Sequence, residues 1–289
     1  MAYLMDYGDD WRDGYVDVVK LVAQRGTVRP SRIGPTMEIR DFVFTLSPEA
    51  IDLPLGTGRR LSTSLAAAEA IQLCAGFGMP ALTEAAASQV AAYVRDPDGT
   101  VHGNYGSRVG LQIVDVVEKL QHDPSSRQAV VQIWNKQLDS SYRDPMPKDI
   151  PCTLTLTFGV DKSGALTMSV VMRSSDVWLG LPFDVFQFRQ LQRTIAWLLG
   201  REIGQYCHHS VSMHAYDHDL AKIGGLAVEV QPRIPSVMPT GIHPPHAADL
   251  MPCMIRVLAG VESEMGDPSH AWYNAALGSA YHQTMQQTP

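Results

Sequence analysis

Residues 152–160 and 165–172 alternate polar and apolar side chains on either side of Asp161-Lys162-Ser163-Gly164, a turn tetrapeptide. Two runs of period two joined by so short a turn specify an antiparallel hairpin. A lone hairpin is marginal in water, so the rest of the chain must extend it with strands and cover one face. In Pro151-Cys152-Thr153-Leu154-Thr155-Leu156-Thr157-Phe158 the alternation puts Cys152 on the same, less exposed face as Leu154, Leu156 and Phe158.

The covering elements are written in the second periodicity. Residues 11–24 place Tyr15, Val18, Val19 and Val22 at helical spacing, with Gly26 to end the helix. Residues 62–76 read as an alanine-rich helix with a Ser or Thr cap, residues 81–94 as a second ended by Asp96-Pro97-Asp98-Gly99, and residues 109–120 as a third. Residues 181–200 are a strong helix whose apolar stripe is Phe188, Leu191, Ile195 and Leu198. Further strands are expected at 37–46, 128–134 and 205–215. Residues 28–35, with two prolines, a glycine and two arginines, read as an irregular loop, as do residues 232–245 with five prolines. One or two helices between 247 and 286 close the chain. With no repeat, low-complexity tract or linker, the simplest reading is one α+β domain over residues 1–289.

Composition narrows the class. The chain has 289 residues, 45% hydrophobic and 18% charged, enough to bury a core. A formal charge of −7 argues against a general duplex-binding surface, which needs clustered Lys and Arg, while leaving room for a local basic pocket. Cys74, Cys152, Cys207 and Cys253 are far apart and read neither as a disulfide framework nor as a zinc site. The histidines His208, His209, His214 and His218 give no metal site: on a strand 208 and 214 share a face, with no cysteine converging on it. The acidic N-terminal stretch lacks the charged-then-apolar order of a signal peptide, and no apolar run approaches the ~20 residues that span a bilayer. A cytoplasmic protein, bacterial or phage-encoded in its host, with no membrane, nucleic-acid or metal partner is expected.

The chemistry concentrates in Met172-Arg173-Ser174-Ser175-Asp176-Val177-Trp178-Leu179-Gly180-Leu181-Pro182-Phe183-Asp184. An arginine and hydroxyls at a strand end suit a phosphate, because the guanidinium offers a fork of donors. Asp184, at the start of a helix, would by itself be read as an N-terminal cap. A lone cysteine is usually a small buried hydrophobe. For Cys152 the preceding proline, the strand start and the nearby arginines favour a nucleophile, whereas Cys74, Cys207 and Cys253 read as structural.

This segment resembles the thymidylate synthase family, whose motif runs Arg-Ser-x-Asp-x-x-Leu-Gly-x-Pro-Phe-Asn. Other landmarks of that family fall in order: Glu69 followed by Gly76, Asn104-Tyr105-Gly106, Asp123-Pro124-Ser125-Ser126-Arg127 with Ile133-Trp134-Asn135, Ile150-Pro151-Cys152, and Ser212-Met213-His214-Ala215-Tyr216. Together they run from about Arg32 to Tyr216. The resemblance implies a mixed β-sheet packed by helices, with one sheet face forming a homodimer interface. It implies Cys152 as nucleophile, Glu69 managing protons, Tyr105 in the catalytic set, and 5,10-methylenetetrahydrofolate as co-substrate. It assigns the phosphate of a pyrimidine nucleoside monophosphate to Arg32, Arg173, Ser174 and, from the partner subunit, Arg127. His214 and Tyr216 would hold the sugar 3′-hydroxyl, and Asp176 would order pyrimidine and folate. Arg29 rivals Arg32, because the loop around them does not align cleanly.

The reaction explains these residue types. C5 of a pyrimidine is a poor nucleophile; a thiolate adding at C6 turns the ring into an enolate or enamine that can attack an iminium carbon. Several positions depart from the family. Asp184 stands where the motif has Asn, as in the cytidylate 5-hydroxymethylase branch: a protonated carboxyl accepts from N4 and donates to N3 of cytosine. No Trp falls between 81 and 103, where synthases carry an indole that shields the transferred carbon, and the closing Ala-Val is absent. Both departures favour water as the final nucleophile. Gln128 replaces a second arginine, and Thr153 a frequent histidine. The expected activity is dCMP 5-hydroxymethylation. The alternatives are CMP 5-hydroxymethylation for a nucleoside natural product, synthase-like C5 methylation, and an inactive relative that binds nucleotide or RNA.

Overall fold

In a computed structural model that describes residues 3–50, 52–140, 142 and 146–228, strands and helices alternate along the chain. The elements are β1 (Tyr3–Asp6), α1 (Trp11–Arg25), β2 (Thr27–Arg29), β3 (Thr36–Leu46), α2 (Thr63–Ala75), α3 (Pro80–Ala86), α4 (Ser88–Val94), α5 (Tyr105–Val109), α6 (Gln112–His122), β4 (Val130–Gln132), α7 (Lys136–Asp139), β5 (Thr153–Val160), β6 (Leu166–Met172), β7 (Ser175–Asp176), α8 (Leu181–Leu198), β8 (Ile203–Tyr216) and α9 (Asp217–Ile223). The expected loop at 232–245, the closing helices, the chain end and Cys253 lie outside the described residues.

The strands form one mixed sheet in the order β1-β3-β8-β6-β5-β4, with β2 added to β3 and β7 to β8. The fold is α+β, as expected. The hairpin β5–β6 closes on Asp161, whose Oδ1 accepts from the N–H groups of Ser163 (2.8 Å) and Ala165 (3.1 Å), while Gly164 takes a φ of +87°. The alternation expected from Cys152 does not hold to its start. A register shift between Thr153 and Thr155 turns Thr153 inward beside Leu156 and Phe158, leaving Leu154 half-buried and Cys152 just ahead of the strand. A bulge extra residue flips the side chains that follow it to the other face.

A different irregularity, an unpaired residue on each strand with the register kept, overturns the face assigned to His208 and His214. The β3–β8 pairing skips Asp41 and Val211, with Asp41 at a φ of +52°. His208 therefore lies fully buried, stacked on Phe44, while His214 faces the other way with Glu38 as its cross-strand neighbour.

The helices mostly follow their signals. Ser62 caps α2 through Oγ, and Gly76 ends it in the left-handed region, where a Cβ would meet the Gly110 carbonyl at 2.8 Å. The single helix expected over 81–94 breaks at Ala87 into α3 and α4, and the helix expected from 109 starts after Gly110. Val28 and Arg29, expected in a loop, pair with β3 together with Thr27, and the strand expected over 128–134 shortens to β4.

α8 lies on β6 and β8 beneath α2. Beyond its expected stripe it is buried all round, residues 181–196 included. Its polar side chains are met inside: Arg189 Nε and Arg193 Nε donate to Asp52 at 2.9 and 3.0 Å, Gln190 joins them at 2.7 Å, and Gln192 donates to the carbonyls of Leu166 and Gly204. The two guanidiniums hold the buried Asp52 carboxyl below its ordinary range despite desolvation. Asp52→Ala leaves both cations unpaired and is expected to cost about 3–5 kcal/mol, read as a lowered urea midpoint. A loss below about 1 kcal/mol would mean the cluster contributes no more than a surface pair.

Candidate active site

Cys152 owes its position to Arg173. The Arg173 backbone N–H donates to the Cys152 carbonyl at 2.9 Å, Nε to Pro151 O at 2.9 Å and Nη2 to Ile150 O at 2.9 Å, with the guanidinium over the Trp134 ring. The arginine expected on a phosphate thus also clamps the segment leading into Cys152, and its fork keeps further N–H groups for an anion. Burial pushes the Cys152 thiol up to about 11, against the pull of Arg173 and with Asp184, Asp149 and Asp176 adding to the rise. At rest it is a thiol.

Cys152 opens onto a cavity of about 580 Å³ that Glu69, Tyr105, Asp176 and Asp184 also line. α2 supplies Glu69, pushed up to about 8 by burial and by the charge of Asp149. The Tyr105 ring stacks on Phe188 (5.9 Å between centroids), its hydroxyl buried and held well above the ordinary range. Asp176 uses Oδ1 to accept from the backbone N–H groups of Trp178 and Leu179 at 2.8 and 3.0 Å. Asp184 is no helix cap. It is buried, receives Gln187 Nε2 at 3.3 Å, and lies so near Gly180 that a Cβ there would sit 3.2 Å from Oδ2. Burial, then Glu69 and Asp176, drive its carboxyl well up, which favours its protonated form.

A second group borders this cavity. β7 pairs with β8 so that Asp176 faces His214, and Ser174 Oγ lies 3.5 Å from His214 Nδ1. Tyr216 meets His214 edge-on at 5.2 Å, and its hydroxyl interacts with Ser31, next to Arg32. Arg29 is engaged by Glu38 at 3.3 Å, which leaves the exposed Arg32 as the freer of the two rivals. Arg127 is not gathered in: it is exposed on the loop before β4 and lines no part of the cavity. Nearby, Gln128 Oε1 accepts from Lys119.

Several lining residues escaped the sequence reading. Asp149 precedes Cys152 in a proline-rich turn, and nothing in its spacing marks it. Arg59 stacks on Trp178 (4.9 Å) and Phe183 and donates to the Tyr15 hydroxyl at 2.8 Å. Gln187 and Gln72 sit on helix faces that period alone assigns to structure. Among the described residues, no group of His, Cys, Asp and Glu could hold a metal, and no helix is long and apolar enough to cross a membrane.

A family model described as thymidylate synthase matches residues 13–238. Over 136 residues the chain is 36% identical to a thymidylate synthase of Bacillus licheniformis, covering 41% of this chain and 44% of that protein. Against the thymidylate synthase 1 of Bacillus subtilis the identity is 33% over 134 residues, 42% of this chain and 46% of the other. Against a deoxyuridylate hydroxymethyltransferase of Bacillus phage SP01 it is 27% over 240 residues, 74% of this chain and 61% of the other. These alignments span less than two thirds of each relative.

The Glu69 carboxyl carries a pH signature. The unfolded chain ionises this group near 4.5, whereas the folded chain keeps it protonated up to about 8. Its stabilising contribution is therefore complete below 4.5 and is lost as pH rises towards 8. Glu69→Gln is expected to gain on the unsubstituted protein by up to about 1.4 kcal/mol per pH unit across that window, measured as the difference in urea midpoints. A difference that stays flat with pH would contradict the raised value.

Proposed function

Since the chain belongs to the thymidylate synthase family, we infer that it transfers a one-carbon unit to C5 of a pyrimidine nucleoside monophosphate through Cys152. The supporting observation is the convergence of Cys152, Glu69, Tyr105 and Asp184 on one cavity, reached from four separate elements or loops. The donor this reading requires, 5,10-methylenetetrahydrofolate, supplies a carbon at the oxidation level of formaldehyde. The cavity suits it in size and in its largely apolar wall, and Arg59 provides a cation for its carboxylates.

The residues divide the work. Arg173 favours the Cys152 thiolate, and a protonated Asp184 no longer opposes it. The thiolate adds at C6, and C5 then becomes the carbon nucleophile. Glu69, protonated near neutrality, exchanges protons with the ring and its substituents. Arg173, Ser174 and Arg32 hold the phosphate, while His214 and Tyr216 hold the sugar hydroxyl.

Two finer features belong to this reading. The base is cytosine, because a buried, protonated Asp184 offers one donor and one acceptor in the order that N3 and N4 require. The product is the hydroxymethyl nucleotide, because the wall formed by α3 and α4 presents Thr83, Gln89 and Ala91 where an indole would exclude water. The phage relative is named for hydroxymethyl transfer to deoxyuridylate, which supports the water step and makes dUMP the rival base. Incubation of dCMP, CMP and dUMP with the folate, followed by mass measurement, separates these outcomes. The expected result is a hydroxymethyl gain on dCMP that Cys152→Ala abolishes; a methyl gain removes the water step, and turnover of dUMP alone removes cytosine. Asp184→Asn is expected to move preference towards dUMP by about 100-fold or more.

Dimerisation completes the site. On the sheet face away from α8, Thr45, Cys207, Ser169 and Thr157 form one half-exposed row and Val43, His209, Val171 and Thr155 another. This face is the self-complementary interface of a two-fold dimer, across which Arg127 reaches the partner's phosphate. Mixing inactive Cys152→Ala and Arg127→Ala chains should then restore roughly a quarter of full activity through random reassociation. No restoration would place Arg127 in its own subunit's site or outside the reaction.

A further inference from the structure

Asp149 has no place in the assignments above, yet its carboxylate reaches the reacting cavity beside Cys152 and Glu69. It lies against Gly103, where a Cβ would stand 2.5 Å from Oδ2, so a side chain there would displace the carboxylate from this position. Among the described residues, neither Asp149 nor Glu69 has a hydrogen bond or ion pair to its carboxylate. Both residues are half-buried, and both line the one cavity, so their carboxylates are placed to meet something that enters it.

Their surroundings differ in kind. Glu69 has the negative charge of Asp149 nearby and no cation to offset it. Asp149 is also raised by burial, but His102, Arg173 and Arg108 all oppose that rise. His102 is itself fixed: its Nε2 lies 2.7 Å from Asp139 Oδ1, and Arg108 grips the same carboxylate at 2.9 and 3.0 Å. Paired carboxylates whose environments diverge in this way divide into a proton donor and a proton acceptor.

We propose that Asp149 accepts the proton of the water that captures the C5 methylene, with Glu69 the protonated member of the pair; this role rests on the hydroxymethyl reading above. The water oxygen bonds to the methylene carbon, and the π pair of the exocyclic double bond moves into the ring towards C4. The ring then re-forms C5=C6, and the C6–S pair leaves on Cys152. The water's hydroxyl ends on the nucleotide. Its proton passes to Asp149 and on to the departing sulfur, which burial favours as the thiol. No oxidant or reductant is consumed.

The test is Asp149→Asn, with Asp149→Ala beside it, assayed for tritium release from C5 of labelled nucleotide and for hydroxymethyl product. Tritium release reports Cys152 addition and carbon transfer, and so also reports an intact fold. The expected result is tritium release close to that of the unsubstituted enzyme with hydroxymethyl formation reduced about 100-fold or more, and with 2-mercaptoethanol capturing the waiting methylene. Undiminished hydroxymethyl formation in both variants overturns the role of Asp149 alone. Parallel loss of tritium release and product also overturns it, by placing Asp149 before the water step. If the unsubstituted enzyme forms no hydroxymethyl nucleotide, the functional reading fails and this role fails with it.

Discussion

A helix carrying two arginines and three glutamines on buried positions enters a protein interior only at great cost unless the interior is built to meet them. α8 is such a helix, and Asp52 is the group that meets most of them. One carboxylate accepts from Arg189, Arg193 and Gln190, while carbonyls at the ends of β6 and β8 take up Gln192. These bonds leave α8 a single rotation about its axis. That rotation aims Asp184, in its first turn, at the wall of the cavity where α2 presents Glu69. The site is therefore set by a polar cluster remote from it in sequence.

The second constraint is electrostatic. Glu69, Asp149, Asp176 and Asp184 all line one cavity, and burial raises each of them. Like charges so close cannot all ionise, so the cavity holds protons at neutral pH. In the proposed reaction, acid–base work near pH 7 then needs only small changes in charge, such as an arriving phosphate or a departing thiolate. Arg173 belongs to the same balance: its charge favours the Cys152 thiolate, and its donors hold the carbonyls ahead of that residue.

Much of the fold was legible because local rules are strong where they act. The hairpin at Asp161, the cap at Ser62 and the left-handed Gly76 follow from turn and cap chemistry among neighbouring residues. The departures in the strands share one cause, which is that side-chain parity holds only along regularly paired backbone; a register shift breaks it in β5, and an unpaired residue on each strand breaks it in β3 and β8. The irregularities at Thr153 and at Asp41 with Val211 reversed the faces assigned to Cys152 and His214. In the helix expected over 81–94, alanine spacing gave no sign of the break at Ala87.

Taken alone, the sequence determined the family and the α+β class, and it named Cys152, Glu69, Tyr105, Asp176 and Asp184 as candidates that the fold brings to one cavity. Ordered motifs carry that information residue by residue, whatever their distance in space. The tertiary structure decided what each of those groups experiences. It made Asp184 a buried acid rather than a cap, set Arg173 to gripping the carbonyls of Ile150 and Pro151, and brought Asp149 and Arg59 into the cavity with no motif to announce them. Protonation and orientation depend on burial and on charges from distant parts of the chain, and those quantities exist only once the chain has closed on itself.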